Sequence, residues 1–166
     1  IYARDAQAHR ALNLAFQRGQ VAKTYLAWTA GVPDPATGQI AVPMHAARKG
    51  KMRPATPGEP GAISARTDYA VEQQWSLAGA PIARVRCHPR TGRQHQIRVH
   101  LRAIGCPILR DSHYGLATFK PPYDTLPLTR LALHAAAIEL PRVLDQPAQQ
   151  VEAAVPADLR ALEVAI

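Results

Sequence analysis

His88-Pro89-Arg90-Thr91-Gly92-Arg93-Gln94-His95-Gln96-Ile97-Arg98-Val99-His100-Leu101 is the stretch on which the reading of this 166-residue chain turns. Thr91 and Gln94 stand three apart in the form of a capping box, which predicts a helix beginning near Gly92. Gly105 and Pro107 would end it, because glycine accepts the left-handed conformation past a helix and proline cannot extend one. At about 100° per residue, Ile97, Leu101 and Ile104 share one face, and His95, Arg98 and Arg102 lie on roughly the opposite one. Such a helix buries one side and holds fixed positive charge on the other.

Arg84, Arg86, Arg90, Arg93, Arg98 and Arg102 fall within nineteen residues, with no acid between them. That density is costly through self-repulsion unless an anion or an internal carboxylate compensates it. A charge run is usually a solvated face. Here Arg98 adjoins the apolar stripe, and guanidinium is the cation best suited to a partly buried bidentate pair. His88, His95 and His100 invite a metal reading, but no Cys/His pair has zinc-like spacing and the arginines would repel a cation. No metal is expected.

The composition is that of a globular chain, 47% hydrophobic and 19% charged, and residues 1–166 read as one domain. A net charge of +8 points to a polyanion, nucleic acid foremost. No apolar run is long enough for a bilayer span, no basic amphipathic helix suits a membrane surface, and the N-terminus is no signal peptide. Cys87 and Cys106, without repeated spacing, suit a reducing compartment, and the expected location is cytoplasmic.

Strands and helices follow one another without strict βαβ alternation, which predicts an α+β domain on a mixed, largely antiparallel sheet with packed helices. Ile1-Tyr2-Ala3 reads as the end of a strand. Asp5 would cap a helix to about Arg18, with Ala8, Leu12, Ala15 and Phe16 inward and Gly19 as its stop. Val21 to Ala30 reads as a strand, with Val21, Lys23, Tyr25 and Ala27 on one side and Leu26 and Trp28 on the other. Gln39 to Val42 is a short strand after a turn over 33–38. From His45 to Gly61 the chain is basic and rich in Pro and Gly, which predicts a mobile loop. Thr67 to Trp75 and Pro81 to Cys87 form an antiparallel pair turning near Gly79, with Ala83, Val85 and Cys87 inward. A long loop over 109–129 precedes a buried strand from Leu131 to Leu140, a strand near Val151 and a final helix opened by Pro156.

No Gly-rich phosphate loop, nucleophile elbow or metal motif is present. Tyr25 follows a lysine on a strand face shared with charge. A core role is the ordinary reading of such a ring, although the same face can carry an unstacked base. Asp111 is the acid closest in sequence to the basic helix, and a structural or loop-ordering role is expected of it.

Lys23-Thr24-Tyr25-Leu26-Ala27 and Thr91-Gly92-Arg93-Gln94-His95-Gln96-Ile97-Arg98-Val99-His100 resemble two motifs of the RluA-type pseudouridine synthases. Gly105-Cys106-Pro107-Ile108, Asp111, Tyr114-Gly115 and Arg130-Leu131-Ala132-Leu133-His134-Ala135 follow in the family's order. The resemblance implies isomerisation of uridine in ribosomal or transfer RNA, without a cofactor, on the pseudouridine synthase type of α+β domain. It implies that Tyr25 lies against the target uracil and that Arg98 pairs with the catalytic aspartate. These two are the expected catalytic residues. Lys23, Arg48, Lys49, Lys51, Arg53, Arg90, Arg93, His95 and Arg102 are the expected RNA contacts.

The chain departs from the pattern in three places. The family carries its aspartate in a His-Arg-Leu-Asp segment, which these 166 residues do not contain. The domain is therefore expected to be truncated at its N-terminus, to be inactive as it stands, and to be monomeric when intact. On that expectation Arg98 pairs with a carboxylate from the missing segment, and neither Asp5 nor Asp111 replaces it. Cys106 stands where histidine is common, and Arg110 where glycine is common. Two other readings remain: a non-catalytic RNA-binding protein on the same fold, and a basic structural module of a ribonucleoprotein.

Overall fold

The computed structural model describes residues 2–166, so part of the expected N-terminal strand end, Ile1, lies outside the described residues. Tyr2 and Ala3 are not in a strand. Asp5 has extended backbone, and its carboxylate accepts the Ala8 N–H at 2.7 Å, which starts helix α1 (Ala6–Gln17) as the sequence predicts. Gly19, at φ +68°, takes the left-handed position beyond its end. The expected inner face holds only in part. Ala15 is buried, but Phe16 is 42% exposed. The helix turns Ala8 and Leu12 toward a groove shared with Leu140 and Val143, which leaves Phe16 outside.

Strand β1 (Ala22–Ala30) lies inside a six-stranded sheet of order β2-β5-β6-β1-β7-β8, where β2 is Thr37–Ile40, β5 Thr67–Leu77, β6 Ala80–Pro89, β7 Leu133–Leu140 and β8 Gln149–Glu152. Every neighbouring pair is antiparallel, and among the described residues the one parallel link is an isolated bridge between Gly31 and Ile82. Ala78 and Gly79 join β5 to β6 with φ of +48° and +84°. Two successive left-handed residues match the right-handed twist of the strands they connect.

The core forms where β1 and β6 cross the middle of this sheet. Ala83, Val85 and Cys87 are fully buried, as their alternation predicts. Ala27 and Trp28 are both buried although they point to opposite sides, so β1 is covered on both faces. Ile97 and Leu101 of α2 (Gln96–Ala103) join that core, as do Leu159 and Leu162 of α3 (Ala157–Ala165). Burying each of these two leucines contributes about 1.5–3 kcal/mol. The Trp28 indole N–H donates to Glu163 Oε1 at 3.0 Å, which fixes α3 against the sheet.

Two expectations are corrected. The 45–61 segment is not simply a loop: β3 (Met44–Ala46) and β4 (Met52–Pro54) pair as a hairpin. Met44 and Met52 anchor it by packing with Ala65, Val99 and Tyr114 in a second small core. Strand β7 is not buried, since its residues are half-buried or exposed. It lies beside the outermost strand β8, whose four residues are all exposed.

Candidate functional site

Helix α2 begins at Gln96, four residues later than the capping-box pattern suggests. Thr91 does not cap it. Its hydroxyl donates to Gln96 Oε1 at 2.6 Å and accepts the Arg66 N–H at 3.1 Å. Gln96 is buried and uses its whole amide: Oε1 also accepts the Arg93 N–H, and Nε2 donates to the Arg66 carbonyl and to Thr67 Oγ1. The relay continues inward. Thr67 Oγ1 lies 2.9 Å from His100 Nδ1, and His100 Nε2 lies 3.0 Å from the Val42 carbonyl. A carbonyl only accepts, so the His100 proton sits on Nε2 and Thr67 donates to Nδ1. Burial lowers the His100 pKa and keeps the ring neutral. His100 is thus a structural polar residue that holds the 91–96 segment against β5.

That segment ends at His95, whose backbone is left-handed at φ +56°. In the first turn of α2, Arg98 projects its fork onto Asp111: Nε to Oδ2 at 2.8 Å and Nη2 to Oδ1 at 2.7 Å. Asp111 is 1% exposed and also accepts the N–H groups of His113 and Tyr114 at 2.9 and 3.0 Å. Burial alone would raise its pKa, but the Arg98 fork and the two N–H groups outweigh that and hold it below the ordinary value. The reverse interaction raises the pKa of Arg98. The expectation that Asp111 does not reach the place of the paired carboxylate is therefore corrected: it occupies two of the three Arg98 nitrogens. The Gly105–Pro107 stop lets the chain fold back until Asp111 faces α2. Nη1 has no protein partner among the described residues.

Tyr114 completes this cluster. The Arg98 guanidinium carbon lies 4.9 Å from the centre of its ring, a cation–π contact. Its hydroxyl accepts the Met52 N–H at 2.9 Å and lies 2.9 Å from His95 Nδ1. Burial, then the charge of Arg98, lowers the His95 pKa. Arg110 explains its own departure from glycine. It occupies a left-handed backbone position at φ +57°, and its Nη2 donates to the Asp124 and Leu126 carbonyls, tying the long loop down.

A cleft of about 310 Å³ opens in front of these residues, lined by Lys23, Tyr25, Arg93, His95, Arg98 and Leu133, among others. It brings together both expected catalytic residues and three of the nine expected RNA contacts. Lys23 is half-buried there, and burial lowers its pKa. The residues lining the cleft include no acid.

The other six expected RNA contacts lie elsewhere. Arg48 and Lys49 are exposed and Lys51 half-buried on the β3–β4 turn, while Arg102 is exposed on α2. Arg53 is paired with Glu59, and Arg90 donates to Asp68 at 2.6 Å. The arginine run is compensated mostly from within: Glu72 takes Arg84 and Arg86, Asp68 takes Arg90, and Asp111 takes Arg98. Sequence reasoning missed the parts played by Gln96 and Tyr114. The available signal was that both lie within the quoted motifs, where a buried amide or hydroxyl needs partners.

Among the described residues, no helix is long and apolar enough to cross a membrane, and no three His, Cys, Asp or Glu side chains are placed to hold a metal ion.

The chain is similar to known RNA pseudouridylate synthases. Residues 1–103 match the family model for RNA pseudouridylate synthases. The chloroplastic RNA pseudouridine synthase 2 of Oryza sativa is 35% identical over 118 residues, 69% of this chain and 26% of that protein. The dual-specificity RNA pseudouridine synthase RluA of Escherichia coli is 35% identical over 128 residues, 77% of this chain and 54% of that protein. The solved structure of human RNA pseudouridylate synthase domain containing 1 superposes with a TM-score of 0.77 at 27% identity, over 93% of this chain and 62% of that one. This chain thus spans about a quarter to three fifths of the proteins it matches. The match over residues 1–103, together with 35% identity to RluA over 77% of the chain, means that the chain belongs to the RNA pseudouridylate synthase family, RluA type.

Proposed function

We propose that this chain forms the uridine-holding part of a pseudouridine synthase domain for structured RNA, ribosomal or transfer, and that these 166 residues by themselves bind RNA without isomerising it. The observation that carries the reading is the lining of the cleft: an aromatic ring and several cations, with no carboxylate.

A uridine must leave its stack to enter such a cleft, at a cost of a few kcal/mol. Stacking on the Tyr25 ring would offset about 1–3 kcal/mol of that. Lys23 and Arg93 would meet the flanking phosphates and supply a salt-dependent share of affinity. The implied reaction then breaks the bond from uracil N1 to the ribose, turns the base, joins its C5 to the same sugar carbon and releases the C5 proton. It uses no cofactor, but it does need a free carboxylate. Asp111 is saturated by four N–H donors and turned toward Arg98. Asp5 caps α1. The aspartate would come from the family's His-Arg-Leu-Asp segment, with Arg98 Nη1 as its natural partner and Asp111 holding that arginine in place.

Both cysteines are free and buried, which suits a reducing, cytoplasmic setting, and we expect the intact protein to be monomeric. The absence of acid from the cleft equally favours the second reading, a non-catalytic RNA-binding protein on this fold. Tritium release from RNA labelled at uridine C5 separates the two. The expected result is no release by these 166 residues and release once a His-Arg-Leu-Asp segment from the parent precedes them. Release by the 166 residues alone contradicts the proposal. RNA binding with no release in either form favours the binding protein.

A further inference from the structure

The Tyr114 hydroxyl joins the basic hairpin to the cleft wall, beside the Arg98 cluster. The hairpin closes on itself through Ala47 N–H to the Lys51 carbonyl, but the next N–H, that of Met52, leaves the ladder and donates to Tyr114 Oη at 2.9 Å. The hydroxyl's own proton is then available to His95 Nδ1, also at 2.9 Å. A second strut runs alongside, from Gln94 Nε2 to the Gly50 carbonyl at the hairpin tip, at 3.3 Å. The Tyr114 ring is buried, packs against Met44, Met52 and Val99, and lies beneath the Arg98 guanidinium. A displacement of the hairpin therefore reaches His95 and Arg98, which line the cleft.

Resting on the RNA-binding reading above, we infer that Tyr114 is a positioning residue that couples the basic hairpin to the cleft. Phosphate contact at Arg48, Lys49 and Lys51 and seating of a base on Tyr25 reinforce each other through its hydroxyl. Tyr114→Phe keeps the ring and its packing but leaves the Met52 N–H without its acceptor and cuts the link to His95. Coupling of this kind is read as non-additivity, because side chains that share no partner act independently.

The test uses a fluorophore-labelled RNA stem–loop with one unpaired uridine. It is titrated against the unchanged chain, Lys49→Ala/Lys51→Ala, Tyr25→Ala and the combination, and then against the same four carrying Tyr114→Phe. With Tyr114 present, the combined loss of affinity should fall short of the product of the separate losses by about fivefold. With phenylalanine in its place, the losses should multiply to within about twofold. A shortfall that persists in the phenylalanine background overturns the inference, as does simple multiplication in both. Amide exchange gives a reading that needs no RNA. The Met52 N–H should exchange faster in Tyr114→Phe while the β5 and β6 amides keep their rates, and an unaltered Met52 rate overturns the role. Failure of the unchanged chain to bind RNA at all removes the RNA reading and this inference with it. Binding with a persistent shortfall removes the role of Tyr114 alone.

Discussion

Asp111→Asn removes one charge from the most enclosed ion pair in the protein while preserving shape. Asp111 has no exposed side-chain surface, and the Arg98 side chain has only 14%. Asparagine keeps one carbonyl oxygen for the N–H groups of His113 and Tyr114 but turns an NH₂ toward a guanidinium nitrogen, donor against donor. Breaking a buried pair from one side costs about 3–5 kcal/mol. Water reaches part of Arg98, so the lower end applies, about 3 kcal/mol. In a chain of this size that corresponds to a fall of roughly 6–12 °C in Tm. The effect should depend on pH. The folded-state pKa of Asp111 is below the ordinary carboxylate value, so its contribution is full above about pH 4 and is lost as pH falls through the folded-state value. His95 and His100, whose pKa values burial lowers, cost stability over a higher window that opens below about pH 6.5 in both chains. Urea unfolding of the two chains at pH 7 and at successively lower pH reads all of this. A difference under about 0.5 kcal/mol at pH 7, or one that does not narrow below pH 4, would refute the reasoning.

Arg98→Lys keeps the charge but loses the two-bond fork, and about 2 kcal/mol of stability should go with it. In a parent that carries the aspartate, it should also reduce turnover far more than RNA affinity; weakened binding at unchanged turnover would assign Arg98 to phosphate instead. Affinity for RNA should fall steeply with salt, and Lys49→Ala/Lys51→Ala should flatten the log–log slope by roughly one to two units, whereas Arg53→Ala and Arg90→Ala, already paired with acids, should change it less. Asp5→Ala should cost about 1 kcal/mol in urea unfolding through loss of the α1 cap, and no change would mean that the Ala8 contact does not hold in solution.

Local pattern was enough where a single element carried its own signal. The alternation of Ala83, Val85 and Cys87, the left-handed glycine at 79, the Asp5 cap and the pair Leu159 and Leu162 each sufficed for an element. The start of α2 was not legible because Thr91 had a competing partner. The buried Gln96 amide needs four bonds, and satisfying it outweighs a capping box at the surface. The arginine run shows the same limit. Repulsion among six cations demands compensation, but Glu72, Asp68 and Asp111 reach them only through strand pairing and the turn at Gly105. The hairpin escaped notice because Met44 and Met52, eight apart in a basic stretch, form no period. In the cleft, the two motifs already held Lys23, Tyr25, Arg93, His95 and Arg98, and the fold brought the two segments to one place.

Fluorine NMR of an RNA stem–loop whose only unpaired uridine is 5-fluorouridine tests most directly whether the cleft seats a uridine on Tyr25. Addition of the chain should move the fluorine resonance through the ring current of Tyr25. The Tyr25→Ala chain, at a concentration that saturates the RNA, should leave that part of the shift absent. The same displacement with both chains would place the base somewhere other than the cleft between Tyr25 and Arg98.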